Sequence, residues 1–214
     1  MIFAWCALLA VLLYAFKAFD VEGAISGAAL TYIIWYQRGI SWVYLLSFFV
    51  LSGVIATKVR GKLLGKQHRE RGVRNVFANG FIAMIAAVRG DFGAYLGSIA
   101  AMSADTLASE FGSFNPQWPK LITSWRLVPT GTNGAISPVG ESVALGISLL
   151  LGIFAFALEF GGPELIAVSL VSGFVGTNVD SLLGATLERK GLLDGHSVNF
   201  IASISGAIVG SLLL

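Results

Sequence analysis

Apolar and polar positions alternate in long blocks along this chain. Apolar segments cover roughly residues 1–16, 23–37, 41–57, 74–89, 92–108, 138–160, 163–187 and 197–214. A membrane-crossing helix needs about 20 mostly apolar residues. The pattern therefore predicts an all-α, polytopic integral membrane helical bundle of about 7–8 transmembrane helices. Eight is the preferred count, and seven is the alternative because the first two segments are the weakest. The segment 163–187 contains Gly173, Gly176 and the polar pair Thr177-Asn178. It predicts a broken helix, which a membrane tolerates where the backbone lines a cavity. Gly27, Gly97, Gly206 and Gly210 read as close packing between helices. Ser137 before Pro138 predicts a helix start, with Ser as the cap and Pro at the first helical position.

Between the fifth and sixth segments the pattern changes. Residues 112–137 hold Pro116, Pro119 and Pro129, the aromatic residues Phe114, Trp118 and Trp125, and the run Gly131-Thr132-Asn133-Gly134. This reads as an ordered loop at the membrane interface, within a cytoplasmic loop of about 109–137. No linker interrupts the rest, so residues 1–214 are expected to form a single transmembrane domain.

Charge sets the orientation. Only 12% of the 214 residues are charged, against about 25% in a soluble domain. Lys17, Lys58, Arg60, Lys62, Lys66, Arg69, Arg71, Arg74, Lys120, Arg126, Arg189 and Lys190 fall in or beside the loops of one side. Only Arg38 and Arg89 fall on the other. Basic loops stay in the cytoplasm, so the N-terminus is expected outside, with residues 1–16 a retained first span in the cell membrane. Lys58 to Lys66 reads as a basic anchor. The net charge of +2 gives no reason to expect nucleic acid. The single cysteine, Cys6, rules out an internal disulfide and a Cys-type zinc site. His68 and His196 lie far apart and are not expected to hold a metal.

The uncharged polar and acidic residues gather on the same side. Arg71, Asn75 and Asn79 are spaced by four and share one helical face. Asp105, Ser109 and Glu110 sit at the inner end of the fifth segment. Asp180, Gly184 and Glu188 are again spaced by four, beside Asn178 and Ser181, and Asn199 opens the last segment. Glu141, in a first helical turn, reads as dipole compensation. Ionisable residues inside a span cost roughly 2.5–3.5 kcal/mol each on insertion scales and mark function. Carboxylates, arginines and glycine turns at one face suit phosphate chemistry. Carboxylates hold Mg²⁺, arginine forks grip phosphate, and a glycine turn leading into a helix presents N–H groups to an anion. No Walker A or kinase glycine-rich signature is present.

Four blocks resemble a membrane family that includes the phytyl phosphate kinases of plastids and cyanobacteria. They are Arg74-Asn75-Val76-Phe77-Ala78-Asn79-Gly80, Ala104-Asp105-Thr106-Leu107-Ala108-Ser109-Glu110-Phe111-Gly112, Gly131-Thr132-Asn133-Gly134-Ala135-Ile136-Ser137 with Gly140, and Gly176-Thr177-Asn178-Val179-Asp180-Ser181-Leu182-Leu183-Gly184-Ala185-Thr186-Leu187-Glu188. The resemblance spans about residue 20 to the end. Asn75-Val76-Phe77 and Asn133 depart from it, standing where a Gln and a Gly are expected. It implies a kinase that moves a phosphoryl group from a nucleoside triphosphate, CTP foremost, to a prenyl monophosphate such as phytyl or geranylgeranyl phosphate. Asp105, Asp180 and Glu188 are then the expected catalytic residues. With Glu110 they are the expected ligands of Mg²⁺. Arg71 and Arg74 would grip phosphates, and Asn75, Asn79, Gly131, Thr132, Asn133, Ser137 and Asn178 would line the phosphate sites. The partners are a prenyl phosphate, a nucleotide and membrane lipid, and the chain is compatible with a homodimer.

Three other readings use the same residues: a transporter or flippase of a phosphorylated lipid or small anion, a prenyl alcohol kinase, and a cytidylyltransferase. A transporter places its polar groups near the midplane. Here they crowd one face, which favours an enzyme with its active site toward the cytoplasm.

Overall fold

The structure is a computed structural model that describes residues 2–64, 70–114 and 119–214. Lys66, His68, Arg69, Pro116 and Trp118 lie outside the described residues. The chain forms α1 (Ile2–Ala15), α2 (Val21–Arg38), α3 (Ile40–Leu64), α4 (Val73–Arg89), α5 (Phe92–Gly112), α6 (Pro138–Ala157), α7 (Glu164–Leu183) and α8 (Gly195–Leu213). A π-helical turn, Gly184–Glu188, continues α7, and a two-stranded hairpin pairs β1 (Lys120–Leu121) with β2 (Ala135–Ile136). The all-α class is as expected, and each helix falls on one apolar segment. Among the described residues, four helices are long and apolar enough to cross a membrane by length and composition: α3, α6, α8 and α7 with its π turn. The others are shorter or more polar.

The centre of the bundle is α5, which packs on α3, α4, α6, α7 and α8. Its residues Tyr95 to Ala104 are buried without a break. A helix that is apolar on every side belongs inside. Most of its side chains are small, so its neighbours approach closely. A Cβ placed on Gly97 would overlap the carbonyl of Gly206, and one on Gly93 the carbonyl of Gly210. Gly97, Gly206 and Gly210 therefore do what their spacing predicts. Gly27 does not: a Cβ there would meet nothing within 4 Å. It faces open space rather than a neighbouring helix.

The expected break in 163–187 is absent at its glycines. Through Gly173 and Gly176, α7 stays continuous, because these residues accept Ser148 of α6 and Ala101 of α5 against the helix. The irregularity comes later, in the π turn. Turns of this kind appear mostly as single insertions, frequently at functional sites.

Caps fix the helix starts. Ser137 Oγ accepts from Gly140 N at 3.1 Å with Pro138 in first position, as predicted. Asp20, Asp91 and Asp194 cap α2, α5 and α8 in the same way. At the far end of the bundle, Arg38 closes α4: its Nε donates to Ala87 O at 2.6 Å and its Nη2 to Val88 O at 3.3 Å. It also lies over the Trp42 ring at 5.8 Å, beside a cluster in which Phe92 and Phe160 stack at 4.4 Å. Arg38, one of the two basic residues on the wrong side for topology, is thus a helix terminator. Arg38→Ala is expected to lower stability by about 1 kcal/mol, read as a lower thermal midpoint in detergent.

Candidate functional site

The ends of α3, α5 and α7 and the starts of α4, α6 and α8 meet at one end of the bundle. Two cavities open there, one acidic and one rich in arginine.

The acidic cavity has a volume of about 300 Å³. Asp105, Ser109 and Gly112 of α5 form one wall, and Thr177, Asp180, Ser181 and Glu188 another. The loop Gly131 to Ser137 closes it, leading into α6 with Gly140 and Glu141. Gly131 and Gly134 have φ of 89° and 76°, the left-handed region that favours glycine. Thr132 Oγ1 donates back to Pro129 O at 2.7 Å and Ile122 N to Gly134 O at 3.1 Å, which hold the loop's shape. A Cβ on Gly134 would overlap Ala185, and one on Gly184 would come within 2.9 Å of Gly134 N. The loop is therefore seated on the π turn through two glycines. Gly184 does permit the close approach read from the sequence, and what approaches is the Gly-Thr-Asn-Gly loop.

The carboxyl groups of Asp105 and Asp180 face each other within hydrogen-bonding reach. Glu188 stands at the cavity edge, beside Gly195 at the head of α8. The straight row Asp180, Gly184, Glu188 ends at Gly184, because the wider π turn changes the angular step. Asn178 Nδ2 donates to Glu141 Oε2 at 3.2 Å, tying α7 to α6. Glu141 thus lines the cavity and holds a partner, beyond any effect on the helix dipole.

The arginine cavity is larger, about 650 Å³. Arg60, Arg71, Arg74, Asn75, Asn79 and Asn199 line it, with Thr57 and the carboxylates of Asp20, Glu22, Glu70 and Glu110. Glu110 does not join Asp105 and Asp180. Its Oε1 accepts from Thr57 Oγ1 at 2.8 Å and its Oε2 from Arg60 Nη1 at 3.0 Å. Glu110 is five positions on from Asp105, so the two point about 140° apart around α5. Among the described residues, no three His, Cys, Asp or Glu side chains converge as a metal-holding set. The expected four-acid set is therefore a pair, Asp105 with Asp180, and two outlying members.

Arg71 lines this cavity with Asn75 and Asn79, but not from the helix. It precedes α4, whose cap is Gly72, so it does not continue the face of Asn75 and Asn79. Instead its backbone bridges to the α1–α2 link at Phe19. Its guanidinium lies over the Phe19 ring at 5.9 Å and donates to Thr57 Oγ1 at 3.4 Å. Burial pulls its pKa below the usual arginine value, and the charge of Glu110 opposes that. Asn75 and Asn79 do share a face, and Asn79 Nδ2 donates to Asn75 O at 2.8 Å. Arg74 pairs with Asp194 on the exposed rim. Asp194 has a pKa of about 2, held down by the N–H and hydroxyl of Ser197 and then by Arg74.

Two residues connect the cavities: Arg60, whose role the sequence hides, and Asn199, which the sequence places on this side without a role. Arg60 lines both, although its stretch reads as a basic anchor. The row Gly53, Thr57, Gly61 on α3 was the signal available, since it marks a face with room for neighbours. Asn199 lies between Asn79 and Asp180. With its amide nitrogen turned to Asp180 it donates to Oδ2 at 3.1 Å and to Gly195 O at 3.0 Å, and Asn79 is 3.2 Å away.

These features define a helical membrane protein with paired polar cavities at one end. The chain belongs to the family of integral membrane proteins designated DUF92, whose model matches residues 4–207. It is the family to which the four motif blocks point. The uncharacterized membrane protein MJ0933 of Methanocaldococcus jannaschii is 36% identical over 96% of this chain and 90% of its own length. The uncharacterized membrane protein sll0875 of Synechocystis is 32% identical over 83% of this chain and 75% of its own. Chloroplastic protein VTE6 of Arabidopsis thaliana is 25% identical over 88% of this chain and 64% of its own. No solved structure matches the chain significantly.

Proposed function

We propose that this protein is a prenyl phosphate kinase with its active site toward the cytoplasm. The observation that carries the reading is the pair of cavities at one end, one with paired acids under a glycine loop, the other holding three arginines among carboxylates and amides. A phosphoryl transfer between two polyanions needs both. The likeness to VTE6 and the four motif blocks support the same reading.

The acidic cavity takes the nucleoside triphosphate, CTP foremost, with the Gly131–Asn133 loop against its phosphates. Mg²⁺ fits here. Two carboxyl groups in contact need a cation or a proton between them, and Mg²⁺ is commonly bound by one or two carboxylates plus phosphates and water. Asp105 and Asp180 would hold it, and the ion would neutralise charge on the phosphates. The arginine cavity takes the acceptor phosphate. An oxygen of the prenyl monophosphate attacks the γ-phosphorus. The bond from that phosphorus to the β–γ bridging oxygen breaks, and the electron pair leaves with the nucleoside diphosphate. The product is the prenyl diphosphate. The acceptor reacts as a dianion, so no side chain has to act as a strong base. Alignment and charge neutralisation supply the catalysis, and Arg60, between the cavities, is placed to steady the transferring group.

The test supplies purified protein in liposomes with geranylgeranyl monophosphate, Mg²⁺ and each γ-labelled nucleoside triphosphate in turn. Label in geranylgeranyl diphosphate, with CTP the best donor, is expected. A CDP-lipid with released pyrophosphate would instead make the protein a cytidylyltransferase.

A further inference from the structure

A third cavity, small and apolar, lies away from the acids. It has a volume of about 100 Å³ and runs between α2, α3 and α4, with the end of α1 at its side. Leu30, Leu46, Phe49, Val50 and Val76 supply its walls. At its polar end it is lined by Arg71, Asn75 and Asn79, which also line the arginine cavity. The two spaces therefore adjoin at these residues, polar on one side and apolar on the other. Along α2 the apolar groove is lined from Gly27 to Thr31, one turn or roughly 6 Å.

We infer that this groove receives the phosphate-proximal isoprenoid units of a lipid whose phosphate rests on Arg71. The inference rests on the kinase reading for the identity of the headgroup. Three observations favour a branched, phosphate-bearing chain over a bystander lipid tail. First, the polar end offers a cation seeking an anion: among the described residues no carboxylate stands within ion-pair distance of Arg71. Second, the groove is widened by residues without bulk. Gly27 and Ala28 line it, and Gly27 has no neighbour within 4 Å of a Cβ, although Leu30 one turn on is tightly packed on Gly80. A chain with methyl branches needs such width, whereas a packed helix pair would fill it. Third, the groove is too small to hold a long tail entirely. It grips the units next to the phosphate and leaves the rest among the lipids, so recognition depends on the head and the first branches more than on total length.

The open space at Gly27 provides a test that does not disturb packing. Gly27→Phe fills the groove, and Ile25→Phe, at an exposed position of α2, is the control. Binding of radiolabelled geranylgeranyl monophosphate is measured in phosphatidylcholine nanodiscs without nucleotide, together with the thermal midpoint. The expected result is at least tenfold weaker binding for Gly27→Phe, with wild-type binding for Ile25→Phe and unchanged midpoints. Arg71→Gln is expected to weaken binding as well. Wild-type affinity in folded Gly27→Phe overturns the groove, as does equal weakening by Ile25→Phe. If Gly27→Phe loses its thermal transition, Gly27→Leu carries the same test. The readout is binding, so it separates two failures. Weakened binding in a protein that turns over no nucleotide sustains the groove and removes the kinase. Turnover by wild type with unaltered binding in Gly27→Phe does the reverse.

Discussion

Asp180→Asn is expected to reduce prenyl diphosphate formation roughly 10³-fold, about 4 kcal/mol of transition-state stabilisation, while the purified protein keeps its thermal transition. The substitution preserves shape. The new amide can still meet Asp105, and Asn199 can still reach position 180, so nothing in the local packing is lost. What disappears is the second carboxylate of the pair, and with it the charge that would hold a divalent ion against the nucleotide phosphates. A purely structural role for Asp180 predicts the opposite: altered stability with activity in proportion to folded protein. Glu110→Gln provides the internal contrast. Glu110 neutralises Arg60 and accepts from Thr57 in the other cavity, so its loss makes that cavity more positive and is expected to lower KM for the prenyl phosphate with kcat little changed. Equal loss of kcat in both variants would mean that the acids act as one set after all.

The largest effect on the fold is expected at Gly97. Gly97→Leu places a branched side chain where the Gly206 carbonyl already lies against the helix. Backbone cannot yield as a side-chain tip can, so α5 and α8 must separate. Overpacking of a core usually costs about 1–3 kcal/mol and more when backbone must move. Because α5 touches five other helices, the strain is not confined to one pair. The variant is expected to lose its cooperative thermal transition in detergent, or to fail to accumulate in membranes. A midpoint within a few degrees of wild type would contradict the packing described for α5. Gly27→Phe, by comparison, is expected to leave the midpoint alone, although both residues read as the same kind of small-residue stripe in the sequence.

That contrast shows where the sequence is legible and where it is not. Helix positions follow from blocks of apolar residues, and a bilayer leaves few alternatives to helices. The eight segments therefore fall on the eight helices with ends displaced by a few residues. Caps such as Ser137 are local chemistry and are readable for the same reason. Which face a residue takes is harder. Asp105 and Glu110 look like one acidic cluster, yet the angular step of a helix sends them to different cavities. Arg71 looks like part of an i, i+4 row, but Gly72 starts the helix one residue after it. Glu188 continues a row of four in sequence, but a π turn intervenes, and nothing in Gly184 to Glu188 announces that turn by composition. Long-range neighbours are the least legible. Arg60 reads as a membrane anchor because its partner Glu110 is fifty residues away. Asn199 gains its place only when α8 packs against α4 and α7. Gly27 and Gly97 differ only in what stands opposite them.

On the proposed function, the two cavities cooperate in moving a γ-phosphoryl group onto a prenyl phosphate. The most direct test uses CTP carrying oxygen-18 throughout its γ-phosphoryl group, with geranylgeranyl monophosphate and Mg²⁺, followed by mass spectrometry of the lipid product. The expected products are CDP and geranylgeranyl diphosphate whose terminal phosphate alone carries the heavy oxygens of the transferred group. Unlabelled geranylgeranyl monophosphate recovered unchanged by folded protein, across CTP and the other nucleotides, would contradict the proposed function.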